Sequence, residues 1–156
     1  MAADPLVSTD WLAERLNDAD VAVLDASWFL PTVGRDGRAE YGRAHIPGAV
    51  FFDIDAISDH ANPLPHMLPS PAAFAEAAGR LGVGDGTTVV AYAADGMVPA
   101  SRVWWMFRVF GHDKVVVLDG GLPKWLAEGR PVDDIAPAPE PRKFTPRFQP
   151  DLVREF

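Results

Sequence analysis

Cysteine is missing altogether from the 156 residues of this chain. That excludes disulfide staples and thiolate metal sites, and it removes the most reactive nucleophile a side chain can offer. Basic residues are also scarce, with 14 Lys and Arg against 22 Asp and Glu for a formal net charge of −8. Such a chain has no overall basic surface for nucleic acid or an anionic membrane, although a local Arg cluster can still hold a small anion. No apolar run approaches the ~18 residues of a membrane span. The opening Met1-Ala2-Ala3-Asp4-Pro5 has none of the character of a secretory leader, so the expected compartment is the cytoplasm. Internal repeats are absent as well. His60, His66, Asp55 and Asp59 are candidate metal ligands by type only. They lack the helical i, i+4 pairing or fixed spacing of a known site, and no metal or cofactor is expected.

What is present is the balance of one globular domain, 48% apolar and 23% charged. Short apolar runs at Val21–Asp25, Ala49–Phe52, Val89–Tyr92 and Val115–Asp119 read as buried strands. Helical patterns alternate with them. Ser8 or Thr9 caps a first short helix in which Leu12 and Leu16 share a face, and a helical turn is expected at Ala39–Arg43. Ser70-Pro71 opens a helix carrying Phe74, Ala77, Ala78 and Leu81 on one side, and Leu122–Glu128 forms another. The expected fold is α/β, a mainly parallel central sheet flanked by helices on both sides. Residues 5–132 form this domain. Residues 133–156, rich in proline, read as an interdomain linker or arm outside the core.

The chain is organised around the stretch from Thr88 to Phe110. A buried strand ends at Tyr92, a loop follows over Ala93-Ala94-Asp95-Gly96-Met97-Val98-Pro99, and an apolar helix begins at about Ala100. Strand, tight loop and helix N-terminus together form an anion cradle, because unpaired backbone N–H groups converge there. Here the centre of the loop is alanine. Asp95 brings a negative charge into it, and Pro99 removes one donor. Arg102 is read as a cation in the first turn of the helix, an unfavourable place for it. It therefore calls for an anionic partner, either Asp25 or Asp119 or an anion bound in the loop. Val103, Met106, Phe107 and Phe110 form one stripe of that helix and Trp104, Trp105 and Val109 lie on other faces. Such a helix is central to a core or covered by another domain.

Several motifs in order resemble the rhodanese-type sulfurtransferases, and in particular the N-terminal half of the two-domain enzymes that use thiosulfate or 3-mercaptopyruvate. They are Tyr41 with His45-Ile46-Pro47-Gly48-Ala49, Phe52-Asp53-Ile54-Asp55, His66-Met67-Leu68-Pro69, Ser101-Arg102-Val103-Trp104-Trp105-Met106 with Phe110-Gly111-His112, and Val117-Leu118-Asp119-Gly120-Gly121 with Trp125. The resemblance covers about residues 5–150. It implies a sulfur relay through a cysteine persulfide at the head of the loop. The matching position here is Ala93 or Ala94, which carries no nucleophile. The implied role is an inactive N-terminal domain whose partner is a C-terminal catalytic rhodanese domain of the same protein, with a small anionic sulfur donor in the complete enzyme. Alternatively it is a free-standing inactive module that binds an anion or a protein.

The resemblance also implies that Asp55 and His66 form a wall of the interdomain site, where a carboxylate and an imidazole orient the substrate. Without it, Asp55 reads as a turn cap and His66 as a packed loop histidine. His45, ahead of a Pro-Gly turn, reads as structural, bonded to backbone. A missing second domain is expected to leave an apolar patch exposed and prone to self-association.

Overall fold

The computed structural model describes residues 4–64 and 66–153. Met1–Ala3 at the start, Pro65 in the turn-rich segment and Arg154–Phe156 at the end of the arm lie outside the described residues. A five-stranded sheet, β1 (Leu6–Val7), β2 (Val21–Asp25), β3 (Val50–Phe51), β4 (Thr88–Tyr92) and β5 (Val115–Leu118), is ordered β1-β5-β4-β2-β3. Every pairing in it is parallel. Strand β4 is central and pairs with both β2 and β5. Because successive side chains point to opposite faces, Val89 and Ala91 enter one core and Val90 and Tyr92 the other.

The first core lies against α3 (Pro71–Arg80) and α4 (Val98–Val109), with Phe74, Ala78, Val103 and Phe107. The second lies against α1 (Thr9–Ala13), α2 (Gly37–Arg43) and α5 (Gly121–Ala127), with Leu12, Tyr41 and Trp125. Ser8 caps α1, its Oγ accepting from the Trp11 N–H, and Ser70 caps α3 by accepting from the Ala73 N–H.

Several expectations about element boundaries change. Strand β1 is new, two residues recruited by pairing with β5 rather than by any local pattern. Helix α1 stops at Ala13, leaving Leu16 in the turn beyond it. Helix α2 begins at Gly37 because the Asp36 carboxylate caps it through the Ala39 N–H. Helix α4 begins at Val98 rather than about Ala100. Pro99 falls in its first turn, where a missing N–H costs no internal bond.

The segment after Asp133 carries no helix or strand through Gln149, yet it is not outside the core. Phe144 is 5% exposed and packs on Phe74 and Phe107. Backbone bonds fix the segment to the ends of two helices: Arg142 N–H to Gly79 O, Arg147 N–H to Phe110 O, and Gln149 N–H to Val109 O. The Trp105 indole N–H donates to Leu152 O. The Val109 and Phe110 carbonyls have no partner within their helix, and an extended chain supplies one, while Gly79 O accepts from the arm in addition to the Gly82 N–H. The arm of this chain therefore covers part of the apolar circumference of α4.

Truncating Phe144 to Ala is expected to cost about 3–5 kcal/mol in urea unfolding. A loss under about 1 kcal/mol would show that the arm does not hold the domain.

His112 gives a second expectation. Its ring lies between Phe107 and Phe144, its Nε2 donates to Thr87 O, and burial pushes its pKa down. The unfolded chain takes up this proton near the ordinary value of 6.5, the folded chain only at lower pH. Stability should thus be full above that value and fall as pH drops below it. Unfolding at neutral and mildly acidic pH should show a shallower loss in His112→Asn than in the parent.

Candidate functional site

In an open parallel sheet, ligands gather beyond the carboxyl ends of the strands, and two candidate features lie there. The first is the turn from β4 into α4. Ala93 is 1% exposed, and its carbonyl accepts the Leu122 N–H at 3.1 Å. Gly121, at φ 56°, permits this approach, since a Cβ there would lie 3.0 Å from the Ala93 oxygen. The Ala94 N–H donates to Ser27 Oγ at 2.8 Å, and that hydroxyl in turn donates to Asp25 at 2.5 Å. One donor of the cradle is thereby consumed. Burial raises the Asp25 carboxyl above the usual range, and two hydrogen bonds from Ser27 oppose that shift.

Asp95 pairs with Arg35 at 3.3 Å, and Arg35 also binds Glu40 at 2.6 Å. Beside the loop a cavity of about 240 Å³ is lined by Asp25, Glu40, Tyr41, Arg43, Ala94 and Leu122. Its walls carry two carboxylates and one guanidinium, an unfavourable setting for an anion. Ser101 Oγ is spent on Met97 O. Val98, assigned above to the loop, stands 81% exposed as the first residue of α4.

The second feature is the Asp55–His66 couple. His66 Nε2 lies 2.5 Å from Asp55 Oδ1, and the Trp28 indole N–H reaches the same carboxylate at 3.2 and 3.3 Å. The Trp28 and His66 rings meet edge to face at 4.7 Å. An ionised carboxylate only accepts, so Nε2 carries a proton, and in the neutral ring Nδ1 keeps its lone pair. That tautomer follows from the hydrogen-bond network. An acid that orients an imidazole, leaving the opposite nitrogen free to accept or bind a proton, is the two-member base of an acid–base relay. Beside His66 runs a groove of about 770 Å³, walled by Leu64, Met67, Arg102, Trp105 and Phe148.

The two features share a hinge. Ser27 holds the β4–α4 loop and its neighbour Trp28 holds Asp55. Neither stood out in the sequence. The available signal was their position just after the acid that ends β2.

His45 is fully buried, with ring nitrogens on Tyr41 O at 2.8 Å and Ile135 O at 2.7 Å, and stacks on Tyr41. It is structural. His60 bonds Ala56 O and Asp59 caps the Ala61 N–H, so neither joins the couple. Among the described residues no cluster of three or more His, Asp or Glu could hold a metal.

Arg102 departs from expectation. It contacts neither Asp25 nor Asp119. One Nη donates to His66 O, the guanidinium stacks on Trp105 at 4.9 Å, and buried Nε has no partner. The reason is the earlier start of α4, which moves Arg102 out of the first turn and away from the positive end of the dipole.

Restoring a thiol should not restore a cradle. Ala93→Cys is expected to label slowly with a thiol reagent because the site is closed, and Ala94→Cys faster. Neither should turn over thiosulfate and cyanide. Multiple-turnover sulfur transfer by either variant would sink that expectation.

Comparison with known proteins agrees with this architecture. The rhodanese-like domain family matches residues 8–128. Human 3-mercaptopyruvate sulfurtransferase is 48% identical over 157 residues, covering 97% of this chain and 53% of that protein. The thiosulfate sulfurtransferase of Bos taurus is also 48% identical, covering 97% and 52% respectively. The solved 3-mercaptopyruvate sulfotransferase SseA of Escherichia coli superposes with a TM-score of 0.89 at 41% identity, covering 96% of this chain and 57% of that one. This chain thus spans about half the length of these relatives. With a family match over most of its length and relatives 48% identical across 97% of it, the chain belongs to the rhodanese-like domain family.

Proposed function

We propose that this chain is the N-terminal, non-catalytic domain of a tandem sulfurtransferase acting on thiosulfate or 3-mercaptopyruvate, and that it supplies one wall of a site completed by a C-terminal domain. The observation that carries this reading is the Asp55–His66 couple, an oriented imidazole beside an open groove on a chain without a thiol. The relatives' length, about twice that of this chain, supports a second domain.

In the proposed reaction a cysteine thiolate of that domain attacks the transferable sulfur of the donor. With thiosulfate the S–S bond breaks and sulfite leaves with the electron pair. With 3-mercaptopyruvate the C–S bond breaks and the carbon fragment leaves with the pair, then takes a proton to become pyruvate. The persulfide passes its outer sulfur to a thiol or cyanide, which regenerates the thiolate. In its protonated form His66, held by Asp55 through Nε2–H, offers Nδ1–H to the anionic end of the donor and orients it. The loop Ala93–Pro99 is then a former anion cradle kept as scaffold. Exposed Leu64, Met67 and Val98 would be covered by the second domain. Among the described residues no helix is long and apolar enough to cross a membrane, and the reading keeps the cytoplasm as compartment.

Assayed alone, the chain should show no transfer from thiosulfate to cyanide or from 3-mercaptopyruvate to a thiol. Turnover at enzyme-like rates would refute the reading. In the two-domain protein, Asp55→Asn or His66→Asn should lower kcat/KM by about 10²-fold. Unchanged kinetics would remove the couple from the site.

A further inference from the structure

The geometry points to Arg102 as the positioning residue of the Asp55–His66 couple: its guanidinium holds the His66 carbonyl, and so keeps His66 in the left-handed backbone conformation from which the imidazole reaches Asp55. The inference rests on the proposed wall role of the couple for its functional weight, but its geometry stands apart from that role.

Three observations converge on it. His66 has φ 57°, and among the described residues it is the one non-glycine residue with positive φ. Histidine visits this region more readily than most L-residues, but at a cost that surrounding contacts must offset. The neighbouring contacts do so from both ends: the ring is held by Asp55 and Trp28, and the carbonyl by Arg102 Nη2.

Second, Arg102 holds its charge without the usual compensation. Among the described residues no carboxylate lies within ion-pairing distance of it, its Nε is buried without a partner, and burial lowers its pKa. A half-buried cation with no counter-ion is unfavourable for stability alone, so a plain packing role is better served by Met or Leu. What only Arg provides is a rigid planar donor fork.

Third, the fork is itself aimed. Arg102 sits on α4, one face of its guanidinium lies over Trp105, and the Trp105 indole is fixed by Leu152 O. The line from the arm through Trp105 and Arg102 to His66, Asp55 and Trp28 thus runs through named contacts on well-packed elements. It sets a loop residue from a helix, which is the arrangement a precise site requires.

The test is NMR on the folded chain carrying Arg102→Met, which keeps the stem and its packing but removes the donors. The expected result is loss of the left-handed backbone signature of His66, with altered His66 ring nitrogen shifts and a displaced Trp28 indole resonance. The His45 and His112 ring signals should stay as in the parent, which separates positioning from general loosening. If Arg102→Met does not fold, Arg102→Gln carries the same readout, since its amide keeps a polar head on a stem too short to reach the carbonyl. A folded variant whose His66 and Trp28 signals match the parent overturns the inference, whatever the activity of the two-domain protein. Conversely, unchanged kinetics in Asp55→Asn with the His66 signature lost in Arg102→Met would remove the wall reading and leave Arg102 as the holder of His66.

Discussion

The rest of the molecule depends on β4 being buried on both faces and paired on both edges. Its four residues from Val89 to Tyr92 are fully buried, and β2 and β5 bond to its two sides. A strand so confined cannot slide by one residue without moving Val90 and Tyr92 out of one core and Val89 and Ala91 out of the other. The register places Asp25 level with Tyr92, so the carboxyl ends of β2 and β4 finish side by side. That level finish is what lets Ser27 reach the Ala94 N–H and lets Trp28, one residue on, reach Asp55. Two adjacent residues thereby set both the turn into α4 and the acid–imidazole couple.

Much of this was legible beforehand, for identifiable reasons. The central strands announce themselves because a parallel strand buried on both sides needs an unbroken apolar run. Ser8 and Ser70 announce helix starts because few other side chains can accept from the N–H groups that a first turn leaves open. Asp55 and His66 were named from family resemblance, and the structure brings them into contact. What stayed hidden depends on tertiary partners. Leu6 and Val7 become a strand only because β5 lies beside them. Phe144 sits among prolines that suggest a free tether, and its core role comes from Phe74 and Phe107 on distant helices. The expected partner of Arg102 is an acid or an anion bound in the loop, whereas the contacts it makes within the chain are a carbonyl and an aromatic face. Neither leaves a charge pattern in the sequence.

On the proposed reading, the turn after β4 keeps the shape of a reactive centre with different electrostatics. Ser27 and Asp25 engage the loop from beneath, and Asp95 is drawn outward by Arg35. The missing cysteine is thus one of several differences from an anion-binding turn. The loop and the sheet end agree with each other, as expected when local chemistry and global fold support one arrangement.

The two outermost strands carry a consequence of another kind. β1 and β3 are each two residues long, while the long valine-rich strands all lie between them. An incoming chain would find at either margin only a couple of rungs on which to build. An exposed edge strand this rich in β-branched residues would be a template for fibril growth, and the brevity of the rim denies the sheet that use.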